Sequence, residues 1–193
     1  MNVRKRLLVG SLVVSAVASV AIGLVIANFG DSPDSEVSVL DGTGPTIKPA
    51  TIGTNAVVQG TPLPNVTVQT LQGADVATKD LIGHPMVINV WGSTCGPCKK
   101  ELPDFAKVHK VYGDRVRFVG IDYLPRSDHE EKFARDKGVQ YELLYDGAGR
   151  FIAKIGIAAF PVTLFVAANG TIVKQTGQLD EAKLTALIES ELL

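Results

Sequence analysis

The chain is poor in the residues that build metal centres and stapled folds. Among 193 residues there are two cysteines, three histidines and one tryptophan. A structural zinc site takes four ligands, commonly two cysteine pairs or one pair plus two closely spaced histidines. His84, His109 and His129 are widely separated, so no metal is expected, and the histidines read as surface or loop residues. Excess basic charge is lacking as well. The formal net charge is -1, and beyond Arg4, Lys5 and Arg6 the acidic residues outnumber the basic ones. That balance excludes a basic surface for nucleic acid. No internal repeat is visible.

What is present begins with an uncharged run at 7–27, LLVGSLVVSAVASVAIGLVIA. At about 1.5 Å per residue, a helix of that length spans the ~30 Å hydrocarbon core of a bilayer. Residues 1–6 are therefore expected to be a cytoplasmic basic segment and 7–29 a transmembrane anchor, with the remainder outside by the positive-inside rule. A cleaved signal peptide, with Val25-Ile26-Ala27 before the cut and a secreted product, is the alternative; the run is long for one. Residues 30–56 are rich in Asp, Ser, Gly, Thr and Pro and read as a flexible linker. Residues 57–193 suffice for one domain with a buried core.

Within that domain, alternation at Val66, Val68 and Thr70 predicts a short half-buried strand that turns back at 72–75. Nearly continuous apolar runs at 86–91 and 116–121 predict strands covered on both faces. Between them a helix is expected to start at the cysteines, with Pro97 in its first turn and Pro103 bending it. Residues 127–137 predict a polar helix, with Ser127 and Glu130 as a capping box and Gly138 as the stop. A strand at 142–145, a short helix at 150–155, a hairpin of 162–166 and 171–175 around Asn169-Gly170, and a last helix at 180–192 complete a mixed sheet covered by helices.

The only two cysteines fall in WGSTCGPCKKELPDF, residues 91–105, as C-G-P-C. A purely structural bridge closing so short a loop removes little chain entropy. Redox exchange fits the position better. A cysteine where a buried strand meets a helix faces unpaired backbone N–H groups and the positive end of the helix dipole, which favours thiolate. Cys95 is expected to be the exposed nucleophile, and Cys98, one turn on, the resolving thiol. Glu101, three residues past Cys98, is a candidate proton acceptor if buried, and otherwise a solvated helix glutamate. Trp91 reads either as a shield and flat contact surface for the sulfurs or as core packing. Lys99 and Lys100 read as solvated residues.

The same stretch, followed later by FPVTLF at 160–165, resembles the thioredoxin-fold disulfide reductases of the TlpA/ResA kind, from about Gly60 onward. The resemblance implies a thioredoxin fold, an α/β architecture whose mixed central sheet is flanked by helices, with an N-terminal β extension and a membrane anchor ahead of it. It implies that Pro161 is cis and lies beside the dithiol, supported by Phe160, Gly96 and Pro97. Phe160 stands where the family usually has a smaller residue, and Thr94 where many relatives carry a second tryptophan. Asn89 takes the strand position of the buried aspartate of cytoplasmic thioredoxins, which moves proton handling toward Glu101. The implied activity is reduction of disulfides in exported proteins, often the haem-binding cysteine pair of an apocytochrome c. Electrons would come from a polytopic membrane thiol reductase, with no cofactor beyond the cysteine pair. A disulfide oxidase or isomerase, and a non-catalytic thioredoxin-like binding module, are the alternatives. The stretch before Cys95 lacks the proline-and-threonine loop of peroxiredoxins.

Overall fold

The structure is a computed structural model that describes residues 54–193. The basic segment, the anchor at 7–29 and the linker as far as residue 53 lie outside the described residues. Among the described residues no helix is long and apolar enough to cross a membrane. Two residues assigned to the linker, Asn55 and Ala56, are bonded to the fold instead. Ala56 is buried and its N–H donates to the Gly156 carbonyl, while Asn55 Oδ1 accepts from the N–H groups of Ala158 and Ala159 at 2.8 Å. One asparagine matching two backbone donors gives no periodic signal, so the boundary was not visible in composition.

The strands are β1 Thr67–Gln69, β2 Asp75–Ala77, β3 Met86–Trp91, β4 Arg117–Asp122, β5 Glu142–Tyr145, β6 Val162–Val166 and β7 Ile172–Thr176. The helices are α1 Gly96–Tyr112, α2 Asp128–Asp136, α3 Arg150–Ile155 and α4 Glu181–Glu191. Among the described residues the strands make one sheet in the order β2-β1-β5-β4-β3-β6-β7. β3 is central, parallel to β4 and antiparallel to β6. All six of its residues are buried, which is why the run carries almost no polar residue. Its period of two divides the interior. Met86, Ile88 and Val90 join Phe151 and Ile155 of α3 on one face. Val87 and Trp91 join Leu102 and Phe105 of α1 and Leu184 and Ile188 of α4 on the other.

This is a thioredoxin-fold domain, and β1 with β2 forms an antiparallel extension that joins β5 at the sheet edge. α1 runs on through Pro103 as one helix. The expected capping box forms by half. Ser127 Oγ accepts from the Glu130 N–H at 3.3 Å, but the Glu130 carboxylate is turned to another loop, described below. His109 is not a loop residue: it lies within α1, and its ring meets Phe118 and Tyr141 edge-on at 5.3 and 5.4 Å.

Candidate active site

The fold delivers the cysteines by ending β3 at Trp91 and starting α1 at Gly96. The turn between them closes with the Cys95 N–H donating to the Gly92 carbonyl at 3.1 Å. Cys95 is the N-cap of α1, and its Sγ accepts from the Cys98 N–H at 3.2 Å. A sulfur in this place is held against the helix N-terminus, where free N–H groups favour negative charge. Cys95 and Cys98 are joined in a disulfide, their Cα atoms 5.3 Å apart. Their exposure differs. Cys95 is half-buried, Cys98 is wholly buried, and Gly96 and Pro97 between them face solvent.

Glu101 lies one turn beyond Cys98 on the buried face of α1 and is only 1 % exposed. One carboxylate oxygen accepts from Asn89 Nδ2 at 2.8 Å and the other from the Leu179 N–H at 3.2 Å. Burial pushes this carboxyl up from 4.5 to about 7, and the two hydrogen bonds pull against that rise. A group balanced near neutrality can take a proton or release it. Asn89 sits opposite Thr163 in the β3–β6 ladder, and its Oδ1 is buried with no hydrogen-bond partner.

Of the two readings of Trp91, the structure agrees with core packing. Trp91 is 0 % exposed and stacks on Phe133 at 6.2 Å between ring centroids, so it offers no contact surface. It packs in the core cluster that contains Cys98, because the side chain at position 91 points to the α1 face of the sheet. The Phe160–Pro161 peptide bond is cis. Pro161 is buried just ahead of β6, while Phe160 and Cys95 are both partly buried against the cluster containing Cys98. Lys99 and Lys100 are exposed.

Several participants carried no sequence signal. Tyr123, just past β4, stacks on Phe160 at 4.0 Å, and its hydroxyl is 2.9 Å from Thr94 Oγ1. An aromatic pair thus lies beside Thr94. Leu179 reaches Glu101 through its backbone, which no side-chain pattern could reveal. Among the described residues no group of three or more His, Cys, Asp or Glu could hold a metal ion.

A cysteine pair at the N-terminus of a thioredoxin-fold helix, one member half-buried and the other enclosed, defines a thiol–disulfide oxidoreductase. Comparison with known proteins gives the lineage. The profile of the AhpC/TSA family matches residues 59–175, and the chain belongs to that family. It is similar to the thiol-disulfide oxidoreductase ResA of Bacillus subtilis (strain 168), 25% identical over 134 residues, 68% of this chain and 75% of the relative. ResA of Bacillus anthracis is 26% identical over 117 residues, 60% and 68% of the two chains. Among solved structures, a secreted Mycobacterium tuberculosis disulfide oxidoreductase is 25% identical with a TM-score of 0.57, covering 65% of this chain and 96% of its own. A DsbF homologue from Corynebacterium diphtheriae shares the fold at 23% identity and a TM-score of 0.63, covering 76% and 99%.

Proposed function

We propose that the chain is a membrane-tethered disulfide reductase whose domain works outside the cytoplasm on exported proteins. The observation that carries the reading is the pairing of a half-buried Cys95 at the helix N-cap with a buried Cys98 one turn from a near-neutral Glu101. Cys95, as thiolate, attacks one sulfur of the substrate disulfide. That S–S bond breaks, a mixed disulfide forms, and one substrate thiolate leaves. Glu101 takes the proton from Cys98, which attacks the Cys95 sulfur and expels the second substrate thiolate. The substrate has gained two electrons, and the chain is left as the Cys95–Cys98 disulfide. A membrane dithiol donor returns it to the reduced form. The uncharged run at 7–27 behind a basic cluster supports the tether, and the resemblance of Gly96-Pro97 between the cysteines to the reducing thioredoxins supports the direction. The haem-binding cysteine pair of an apocytochrome c is the substrate class that the resemblance of the C-G-P-C stretch to the TlpA/ResA reductases favours.

Trapping tests the reading. Cys98→Ala leaves the attacker and removes the resolver, so exported proteins should accumulate as mixed disulfides on Cys95. Insulin reduction should be lost in Cys95→Ser. Equal insulin reduction by the Cys95→Ser and unaltered chains, or no Cys95 adduct in the native host, would overturn it.

A further inference from the structure

Three backbone groups just ahead of β6 are held by one side chain that the steps above do not use. Asn55 Oδ1 accepts from the N–H groups of Ala158 and Ala159, both at 2.8 Å, and Asn55 Nδ2 donates to the Ala159 carbonyl at 3.0 Å. Ala158 and Ala159 are exposed and lie outside every strand and helix, so water could satisfy the same groups. What the asparagine adds is order in a loop that the sheet does not hold. Asn55 is itself secured. The Ala56 N–H donates to the Gly156 carbonyl at 2.9 Å, and the Gln175 side chain of β7 grips the same segment. Gln175 Nε2 donates to the Ala56 carbonyl at 2.9 Å, and its Oε1 accepts from the Val58 N–H at 3.0 Å. A Cβ on Gly156 would come within 2.6 Å of the Ala56 Cβ. Residues 55–58 therefore form a strap, tied to β7 and pressed against the loop.

The loop leads to the dithiol. Phe160 follows Ala159 and packs, partly buried, against the cluster that contains Cys98, as Cys95 does. Its ring stacks on Tyr123 at 4.0 Å, and the Tyr123 hydroxyl lies 2.9 Å from Oγ1 of Thr94, the residue before Cys95. Tyr123 also covers Gly92, where a Cβ would meet its ring at 2.6 Å. Contacts thus run from Asn55 through the loop and the aromatic pair to the turn that carries the attacking sulfur. A polypeptide that brings its disulfide to Cys95 meets Phe160 and the exposed alanines ahead of it. A small disulfide has no chain to lay there.

We propose that Asn55 is a positioning residue for polypeptide substrates: by holding the backbone of Ala158 and Ala159 it sets where Phe160 stands beside Cys95. A loop already fixed in its docking position loses less freedom when a chain binds, which strengthens binding. Asn55 touches neither sulfur, so its effect falls on docking and leaves the exchange of electrons alone. The role toward a substrate rests on the disulfide-reductase reading given above. The ordering of the loop does not.

The test mixes the reduced full-length chain, in single turnovers, with insulin or with hydroxyethyl disulfide, and follows the loss of the chain's own thiols. Asn55→Ala should raise the insulin concentration that gives half the limiting rate several-fold. The limiting rate itself, and the rate with hydroxyethyl disulfide, should stay unchanged, the pattern of lost binding without lost chemistry. Asn55→Asp keeps an acceptor for both N–H groups and loses the donor, so it should recover part of the insulin affinity. Amide hydrogen exchange on the same proteins reads the loop directly. Ala158 and Ala159 should exchange several-fold faster in Asn55→Ala, while β3 and α1 keep their protection. An unchanged half-saturating insulin concentration, equal slowing with both disulfides, or unchanged exchange at the two alanines overturns the proposal. Faster exchange there, in a chain whose unaltered form reduces neither disulfide, upholds Asn55 as the holder of the loop and refutes the reductase reading.

Discussion

Replacing Glu101 by glutamine isolates the proton acceptor from the rest of the site. The carboxyl is ordinarily half-ionised at 4.5 and is pushed to about 7 by burial. Below pH 4.5 the folded and unfolded chains both hold the proton. Above it the unfolded chain ionises first, and the folded state is penalised until its own carboxyl ionises near pH 7. Stability therefore falls across pH 4.5 to 7, and the loss is complete above that window. At about 1.4 kcal/mol per pH unit the loss is roughly 3 kcal/mol. Glutamine keeps the shape without the titration. Its amide N–H meets Asn89, whose Oδ1, otherwise unpartnered, can turn to accept it. Denaturant melts of the oxidised protein at pH 5, 6, 7 and 8 should thus show Glu101→Gln gaining on the unaltered chain as pH rises. The gain should approach roughly 3 kcal/mol at pH 8, less whatever the charged hydrogen bonds contribute. Burial also raises the Asp122 carboxyl, and that contribution is common to both proteins and cancels. Resolution of a mixed disulfide should slow by about 10²-fold, the low end for loss of a general base. Parallel stability curves for the two proteins would refute the argument.

Asn89→Ala removes a hydrogen bond that lowers the Glu101 pKa, so the pH at which mixed disulfide is half-maximally resolved should rise; an unmoved midpoint in stopped-flow traces contradicts the assignment. Gly120→Ala places a Cβ 2.8 Å from Leu143 Cδ2 and 3.0 Å from Trp91 Nε1, both in the packed core. It should cost about 1–3 kcal/mol in denaturant melts. Ser127→Ala removes the side-chain cap of α2 and should cost about 1 kcal/mol by the same measurement. Unchanged midpoints in these two variants would count against the packing and the cap.

The strands at 86–91, 142–145 and 162–166 and the helix at 150–155 coincide with β3, β5, β6 and α3. Each is a compact apolar segment bounded by turn-forming residues, so local pattern and tertiary burial agree. β2 was legible only as the return of a turn, because Asp75–Ala77 is three residues long and none is buried. At the site, Cys98 follows the N-cap Cys95 by three residues and Glu101 follows Cys98 by three, so helical spacing alone makes each a neighbour of the next. The partners of Glu101 are another matter. Asn89 is 12 residues away and Leu179 is 78 away, the latter contributing only its backbone. Glu130 was read as half of a capping box because the local pattern allowed it. Its carboxylate went instead to Ser93, 37 residues earlier. A local motif names the nearest donor, whereas burial selects the donor with no other acceptor.

Of the buried acids, Glu101 and Glu130 lie on different sides of the cysteine pair in sequence and agree in what they avoid. Glu101 serves the turn after Cys98, Glu130 the turn before Cys95, and neither is paired with a lysine or arginine among the described residues. A cation beside Glu101 would hold it ionised far below neutrality and end its ability to carry a proton. Neutral N–H donors satisfy its oxygens while leaving burial free to raise its pKa. The nearest lysines by sequence, Lys99 and Lys100, are exposed on α1, where water and salt screen them. What remains to stabilise a thiolate at Cys95 is the backbone itself, beginning with the Cys98 N–H at 3.2 Å. Thiolate chemistry that depends on peptide dipoles rather than surface charge should hold its reactivity as ionic strength rises, because the dipoles sit inside the screening layer.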